Sequence, residues 1–258
     1  KRNTVGSFCS SVLILTLFGW CSGCNFRLAK KDLLVVFLLS LLRATTSFSL
    51  LIAYQNIATG VASTIHFMYP LAVSLAMMFF FHEKKSLLVM LAVLMSLFGA
   101  ALLSSGELEA KSGDTIVGLV AACISVFSYG GYIIGVRTTR AAQINSTVLT
   151  CYVMGMGAVF YLIGAMATSG LHLVTDGYIW LIILGLALPA TAISNITLVR
   201  AIKYAGPTLT SILGAMEPLT AVVIGVFVFK ELFTLNSAIG ILLILLAVGM
   251  VVFRKQKS

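Results

Sequence analysis

Two ionisable side chains stand in the middle of long apolar stretches of this sequence. Arg43 lies halfway along the stretch 33–54, and Glu217 lies halfway along 206–229. A charge at such a depth is costly in a hydrocarbon environment, so each of the two predicts a functional group. The guanidinium needs an anion or water as its partner, and the carboxyl is a candidate for exchanging a proton. The alternative is a structural ion pair between Arg43 and Glu217 that locks two helices together.

A histidine and several aromatic and amide side chains extend this set of candidates. His66 and Tyr69 lie near the middle of a third apolar stretch, where they serve either in proton transfer or as hydrogen-bond partners within the fold. Asn195 either lines a cavity or holds helices together. Trp20 and Tyr132 either stack on a substrate or pack beside neighbouring glycines.

The composition defines the environment in which these side chains act. Of 258 residues, 60% are hydrophobic and only 10% are charged, whereas a soluble domain carries roughly 25% charged residues. This excludes a water-soluble fold. The net charge of +9 comes from short Lys and Arg clusters between apolar stretches, which is typical of the loops of a membrane protein. We therefore expect no nucleic-acid partner.

Neither a cofactor nor a metal site is predicted. The sequence has no glycine-rich nucleotide-binding motif and no zinc-protease motif. Its five cysteines all lie within apolar stretches, where thiols behave as small hydrophobic groups. With these motifs absent, we do not expect an enzyme.

Apolar stretches of about 20 residues recur along the whole chain, each long enough to cross a hydrocarbon core of roughly 30 Å as a helix. The sequence therefore predicts an all-α polytopic membrane protein with nine visible spanning helices. Their predicted ranges are 5–26, 33–54, 60–81, 86–104, 115–137, 144–168, 177–202, 206–229 and 235–253.

The chain contains an internal repeat. A shift of 148 residues aligns Pro70 with Pro218, and the alignment continues on both sides without a gap. The first helix has its counterpart at a shift of 112 residues, which pairs Trp20 with Tyr132. Two copies of one helical unit therefore make up the chain.

The two shifts differ by 36 residues, about the length of one spanning helix with its loops. The helix predicted at 144–168 accordingly has no counterpart in the first repeat, near 27–31. Either that helix was lost or the sequence omits a segment there, and the pseudo-symmetry of the rest favours omission. The predicted domains are a first repeat over 1–104 that lacks one helix, a linker at 105–114 and a second repeat over 115–258.

Five helices in a complete repeat is an odd number, so the two repeats enter the membrane in opposite directions. Such inverted repeats are typical of secondary transporters, which hold their substrate near the bilayer midplane. With ten helices, thirteen Lys and Arg residues would lie inside and three outside, namely Arg27, Lys111 and Lys230. The bias predicts a multi-pass protein of the plasma or inner membrane with a cytoplasmic C-terminus.

The prolines of the two repeats predict hinges. Pro70 and Pro218 are expected in the middle of spanning helices, where each would remove a backbone hydrogen bond and kink the helix. Carbonyl groups freed at such points can line a polar cavity. We expect these two prolines to be the hinges of the gating helices.

The repeat register brings three of the candidates together. Because Tyr69 corresponds to Glu217 in the second repeat, His66, Tyr69 and Glu217 are placed around one central axis. Together with Arg43 they predict a polar chamber halfway through the bilayer.

These features resemble the drug/metabolite transporter superfamily, specifically its EamA-type ten-helix metabolite exporters. The resemblance rests on the doubled architecture and on the first helix of each half, with Phe18-Gly19-Trp20 and Tyr129-Gly130-Gly131-Tyr132. It also rests on a helix–proline–acidic block in both halves, Thr59 to Glu83 and Pro207 to Glu231. It covers essentially the whole chain except the missing second helix.

The resemblance implies alternating access around a cavity lined by helices one, three, four, six, eight and nine of the full count. It does not imply one substrate, since members export amino acids, nucleobases, vitamins and other metabolites. We expect a secondary transporter that exports amino-acid-like metabolites, because Arg43 and Glu217 offer one charge of each sign. Its partners would be a small-molecule substrate, the lipid bilayer, and a proton or counter-solute. The expected substrate-binding residues are Trp20, Arg43, His66, Tyr69, Tyr132, Asn195 and Glu217, with Glu217 also coupling transport to protons.

Three other functions stay open at this point. A facilitator or exchanger of anionic or nucleobase-like solutes would depend on Arg43, so that Arg43→Ala abolishes transport and Glu217→Gln spares it. An intramembrane enzyme acting on a lipid headgroup would need a nucleophile and a base, for which His66 and Tyr69 are the candidate pair. A purely structural membrane scaffold is the third.

Overall fold

The architecture is known from a computed structural model that describes residues 28–83, 87–104, 113–168, 193–214, 216–220, 224 and 234–256. Within these ranges the chain is helical apart from short connections and contains no β-strand, which confirms the predicted all-α class. The predicted helix at 5–26, with Trp20, and most of the predicted helix at 177–202 lie outside the described residues.

Nine α-helices and one short 3₁₀ turn, Arg140–Gln143, are present in the described ranges. Most begin and end within a few residues of the predicted ranges, because the apolar stretches that define them are long and sharply bounded. The helices are α1 Lys30–Asn56, α2 Thr59–His66, α3 Tyr69–Phe80, α4 Leu87–Ser104, α5 Thr115–Thr138, α6 Ser146–Thr168, α7 Ser194–Ala205, α8 Pro207–Leu213 and α9 Leu235–Gln256.

Three of the described segments are long and apolar enough to cross a membrane, namely Lys30–Asn56, Thr59–Phe80 and Thr115–Thr138. Several helices expose large apolar side chains on their surface. Phe127 of α5, for example, is 72% exposed, and Leu87 of α4 is 90% exposed. Such surfaces are unfavourable in water but suit lipid, where the hydrocarbon tails cover them. The described helices therefore fit a polytopic membrane protein.

The predicted helix at 60–81 corresponds to one apolar span, Thr59–Phe80, with a turn in its middle. α2 ends at His66, the turn follows at Phe67 and Met68, and α3 begins at Tyr69. Pro70 lies directly after this turn, and its role as a hinge stays a prediction. Pro70 occupies the first turn of α3, where its missing N–H needs no partner, and its ring would collide with the His66 carbonyl if the helix were continuous.

The predicted helix at 206–229 is interrupted in the same way. α8 ends at Leu213, Gly214 follows in a turn, and residues 216–220 are helical again. The N–H of Glu217 donates to the carbonyl oxygen of Gly214 at 3.0 Å. Glu217 and Pro218 lie in the helical segment 216–220 that follows this turn, and in a continuous helix the ring of Pro218 would collide with the carbonyl of Gly214. Residue 215 and most of 221–229 lie outside the described residues.

The boundaries of the helices follow the register of the sequence repeat. α2 begins at Thr59 and α8 at Pro207. The two starts are 148 residues apart, which is the shift that aligns the two halves of the sequence.

The chain forms two compact units, and each combines segments of both repeats. One unit contains residues up to Ala44 together with Gly135–Tyr204, and the other contains Thr45–Ile134 together with everything from Ala205 onward. In the first unit, Asp32 and Arg140 form a salt bridge at 2.7 Å, and the rings of Phe37 and Phe160 pack edge to face with centroids 5.8 Å apart.

The second unit is built on close helix approaches made possible by small residues. A Cβ atom added to Gly99 of α4 would lie 2.8 Å from the carbonyl oxygen of Gly240 of α9, so the two backbones are in contact there. Ala92 and Val93 of α4 form an apolar core with Ile212 and Ala247. In lipid, where apolar surface drives no association, such close backbone packing is what holds helices together.

We predict that Gly99→Ala destabilises the protein whereas Gly130→Ala does not. The first methyl group would meet the backbone of α9, and overpacking of this kind costs on the order of 1–3 kcal/mol. At Gly130 of α5 the new methyl would lie 3.4 Å from Val73, an ordinary contact distance. Thermal unfolding of the two purified variants in detergent measures the difference. Equal midpoints would show that α4 and α9 do not pack at Gly99.

Candidate functional site

A cluster of one histidine and three tyrosines surrounds the break between α2 and α3. His66 closes α2, Tyr69 opens α3, and Tyr129 and Tyr132 come from α5. The ring centroid of His66 lies 5.6 Å from that of Tyr69 and 5.5 Å from that of Tyr129. Tyr69 and Tyr129 pack edge to face at 4.7 Å, and Tyr129 stacks with Tyr132 at 6.4 Å. We call these four residues the aromatic cluster.

The histidine of the aromatic cluster is held by a serine of α5. Nδ1 of His66 and the hydroxyl oxygen of Ser125 are 2.9 Å apart. Ser125 itself is fully buried, and its hydroxyl donates to the carbonyl oxygen of Ala122 at 2.6 Å. A ring held by a hydrogen bond and two flanking tyrosines has little freedom to rotate.

The hydroxyl of Tyr69 reaches the second interrupted helix. A Cβ atom placed on Gly214 would lie 1.8 Å from that hydroxyl oxygen, so the tyrosine occupies the space that a side chain at 214 would fill. Tyr69 is only 2% exposed, whereas Glu217, three residues after Gly214, is exposed. The buried phenol therefore lies against the segment that carries Glu217.

Helix α1 contributes a further hydroxyl near the break. The phenol of Tyr54 and the hydroxyl of Ser63 in α2 are within hydrogen-bond distance at 3.2 Å. Thr64 of α2 donates instead to the carbonyl oxygen of Gly60 at 2.8 Å. The short α2 thus has polar contacts on more than one face, which is typical of a helix that does not face lipid alone.

The other unit holds the predicted arginine. Arg43 is the midpoint of α1, and its guanidinium donates to the side-chain oxygen of Asn195 in α7 at 3.5 Å. Because that amide oxygen accepts from Arg43, the NH₂ group of Asn195 is turned away from it. Guanidinium and amide N–H groups are donors, so the pair is chemically suited to an anionic group such as a carboxylate.

The structure brings several predicted residues together within each unit. His66, Tyr69, Tyr132 and Glu217 gather in one unit, and Arg43 meets Asn195 in the other. Trp20 lies outside the described residues. The chamber that would hold Arg43 and Glu217 together stays a prediction.

The sequence did not lead to two residues found here. One is Tyr129, a member of the aromatic cluster, and the other is Ser125, which contacts His66. A signal for them existed, because Ser125, Tyr129 and Tyr132 follow the spacing of one helix face.

Metal chemistry has no support in the part of the chain that the structure describes, where no group of three or more His, Cys, Asp or Glu side chains comes together.

A charged hydrogen bond joins the ends of the two interrupted segments. Thr208, in the first turn of α8, donates through its hydroxyl to the carboxylate of Glu83, which follows α3, at 2.6 Å. Thr208 is 8% exposed. The corresponding position in the first repeat is Gly60, which has no hydroxyl, so the repeats differ in this contact.

Comparison with known proteins adds two findings. Residues 116–253 match the EamA-like transporter family. The match covers slightly more than half of the chain and nearly coincides with the predicted second repeat. A crystal structure of another protein superposes with a TM-score of 0.84 over 100% of this chain and 89% of its own, at 18% identity. At that identity the likeness shows the fold alone. No curated protein matches the sequence.

We predict that Thr208→Val lowers the stability of the protein while Thr208→Ser preserves it. Valine has a similar volume but cannot donate to Glu83, whereas serine keeps the hydroxyl. Hydrogen bonds to charged groups contribute on the order of 1.5–3 kcal/mol, and the exposure of Glu83 places this one toward the lower end. Unfolding midpoints of both variants test this. If the valine variant has the same unfolding midpoint as the wild type, the hydrogen bond between Thr208 and Glu83 does not stabilise α8.

Proposed function

We propose that this chain, which belongs to the EamA-like transporter family, is a secondary active transporter that exports small polar, amino-acid-like metabolites by alternating access. The family match confirms the resemblance predicted from the sequence. The family is one of membrane transporters of small solutes. The substrate class, the direction of transport and the mechanism are the proposal.

The observation that supports the proposal is a turn shortly before the proline of each repeat, at Phe67 and Met68 before Pro70 and at Gly214 before Pro218. A proline frees a backbone carbonyl of the preceding turn, and such a group is tolerated within a membrane where it is buried in protein or lines a polar cavity. In transporters with inverted repeats, helices that are interrupted near the midplane hold the substrate. Here the breaks carry His66 and Tyr69 on one side and Glu217 on the other.

The side chains near the breaks suit a solute with an amino group. The exposed carboxylate of Glu217 provides a counter-charge for an ammonium group, and the buried phenol of Tyr69 lies against Gly214, three residues before it. In the other unit, Arg43 and Asn195 present N–H donors of the kind that a carboxylate accepts. An amino-acid-like solute carries one charge of each sign, which is why this class of solute is proposed.

The proposal includes the setting of the protein. We place it in the plasma or inner membrane with a cytoplasmic C-terminus, which the distribution of Lys and Arg between the loops supports. A proton or counter-solute gradient drives export, with Glu217 as the proton-linked group.

A second candidate function is favoured by the donors around Arg43. Exchange of anionic or nucleobase-like solutes would use the guanidinium and the amide of Asn195 as the main ligands. In that case Glu217 would not contact the solute.

Transport by purified protein in proteoliposomes distinguishes the two. The vesicles are loaded with a panel of amino acids, carboxylates and nucleobases, and transport is measured with and without a pH gradient. We predict that both Glu217→Gln and Arg43→Ala reduce amino-acid transport tenfold or more. Each loses a charged interaction of about 1.5–3 kcal/mol, and about 1.4 kcal/mol corresponds to a factor of ten.

Two exposed residues provide matched controls. Asp114→Asn retains a side-chain oxygen for the start of α5, where Asp114 accepts from the N–H of Ile116, and Arg140→Ala removes a surface salt bridge with Asp32. Both should transport like the wild type. Loss with Arg43→Ala alone would favour the anion exchanger, and full activity of both Glu217→Gln and Arg43→Ala would refute the site.

A further inference from the structure

Basic side chains gather where three helices of the first unit begin or end. α1 begins with two lysines, α5 has an arginine in its last turn, the 3₁₀ turn begins with another arginine, and α7 has an arginine and a lysine near its end. We call these six residues the basic surface, namely Lys30, Lys31, Arg137, Arg140, Arg200 and Lys203.

Direct contacts bring these helix ends together. The guanidinium of Arg137 donates to the carbonyl oxygen of Lys203, and the ammonium group of Lys203 donates to the carbonyl oxygen of Ile144. Arg140 forms its salt bridge with Asp32, in the first turn of α1, at 2.7 Å. The basic residues of α1, α5 and α7 therefore belong to one surface of the first unit.

The positive charge of the basic surface is mostly uncompensated. A carbonyl oxygen accepts a hydrogen bond but carries no net charge, so Arg137 and Lys203 remain cationic in these contacts. In the part of the first unit that the structure describes, Asp32 is the one acidic side chain, and it pairs with Arg140. The surface is therefore suited to an anionic partner.

Neighbouring side chains indicate that this partner belongs to the membrane. Tyr204, in the last turn of α7, is 85% exposed, and exposed tyrosine rings are typical of the headgroup level of a bilayer. On α1, exposed apolar side chains begin directly after Lys31, with Leu33, Leu34 and Leu38. A ligand at this place meets positive charge and, beside it, an apolar helix face.

We infer that the basic surface binds the headgroups of anionic phospholipids, while their acyl chains cover the exposed leucines of α1. Guanidinium groups bind phosphate oxygens through two parallel N–H bonds, and ammonium groups bind them as point charges. Basic clusters between helix ends on the cytoplasmic side are suited to such headgroups, and the orientation proposed above places all six residues on that side. The inference does not depend on which solute is transported.

The full-length protein in detergent tests this with two added phospholipids. Phosphatidylglycerol and phosphatidylcholine both contain a phosphate, but only the first has a net negative charge. Phosphatidylglycerol should raise the unfolding midpoint, and phosphatidylcholine should not. The rise should shrink between about 0.1 M and about 1 M salt, because the Debye length falls from about 10 Å to about 3 Å. Equal shifts with the two lipids would overturn the inference.

Two double variants with the same loss of charge separate this surface from a general attraction between a basic protein and anionic lipid. Lys31→Gln with Arg200→Gln removes two exposed charges of the basic surface. Arg254→Gln with Lys255→Gln removes two charges near the end of α9, in the other unit. Native mass spectrometry with phosphatidylglycerol measures the affinity of each.

The first double variant should bind phosphatidylglycerol about thirtyfold more weakly, because each basic side chain near an anionic membrane contributes about fivefold. The second should bind it like the wild type. Equal losses in both variants would contradict a site at the basic surface. Exposed surface substitutions have small effects on folding, and the response of the wild type to the two lipids decides the question in any case.

Inorganic phosphate distinguishes a lipid from a soluble anion. If phosphate raises the midpoint as much as phosphatidylglycerol does, the surface binds a soluble anion and the inference is wrong. If the wild type binds phosphatidylglycerol at this surface but transports no solute, the inference stands and the proposed function fails. If solute is transported but the lipid binds no better than phosphatidylcholine, the proposed function stands and the inference fails.

Discussion

The contact between the hydroxyl of Tyr69 and the backbone at Gly214 is the constraint on which the rest of this structure depends. A helix broken within a bilayer leaves backbone groups without partners, and that cost is acceptable only where protein or polar groups surround the break. Here the phenol that opens α3 fills the space beside the glycine that follows α8, so the second turn is covered by a side chain from the first repeat.

The two repeats use the same backbone plan with different chemistry. Tyr69 and Glu217 occupy one pair of equivalent positions, and His66 and Gly214 occupy another. Each repeat has a turn shortly before its proline, whereas the side chains around the two turns differ. In the proposed function, similar halves exchange conformations and the differing side chains provide ligands for the solute.

Much of the architecture could be predicted from the sequence, because apolar length and proline position are strong signals. The stretch 33–54 corresponds to α1, and the shift of 148 residues reappears in the starts of α2 and α8. The exact position of the turn before Pro70 could not be predicted, since a proline in a long apolar stretch does not tell which of the preceding residues leave the helix. Ser125 was missed because its spacing with Tyr129 and Tyr132 places it on their helix face but does not tell which partner its hydroxyl meets.

The contact between Tyr69 and Gly214 is tested most directly by a double-mutant cycle, in which the stability of each variant is measured by thermal unfolding in detergent. Gly214→Ala places a methyl group where the buried hydroxyl lies, and Tyr69→Phe removes that hydroxyl. Gly214→Ala should be strongly destabilising alone and less so in combination with Tyr69→Phe. The expected interaction energy between the two substitutions is on the order of 0.5–3 kcal/mol. Strictly additive effects of the two substitutions would contradict it, because the two interrupted helices would then not meet at this point.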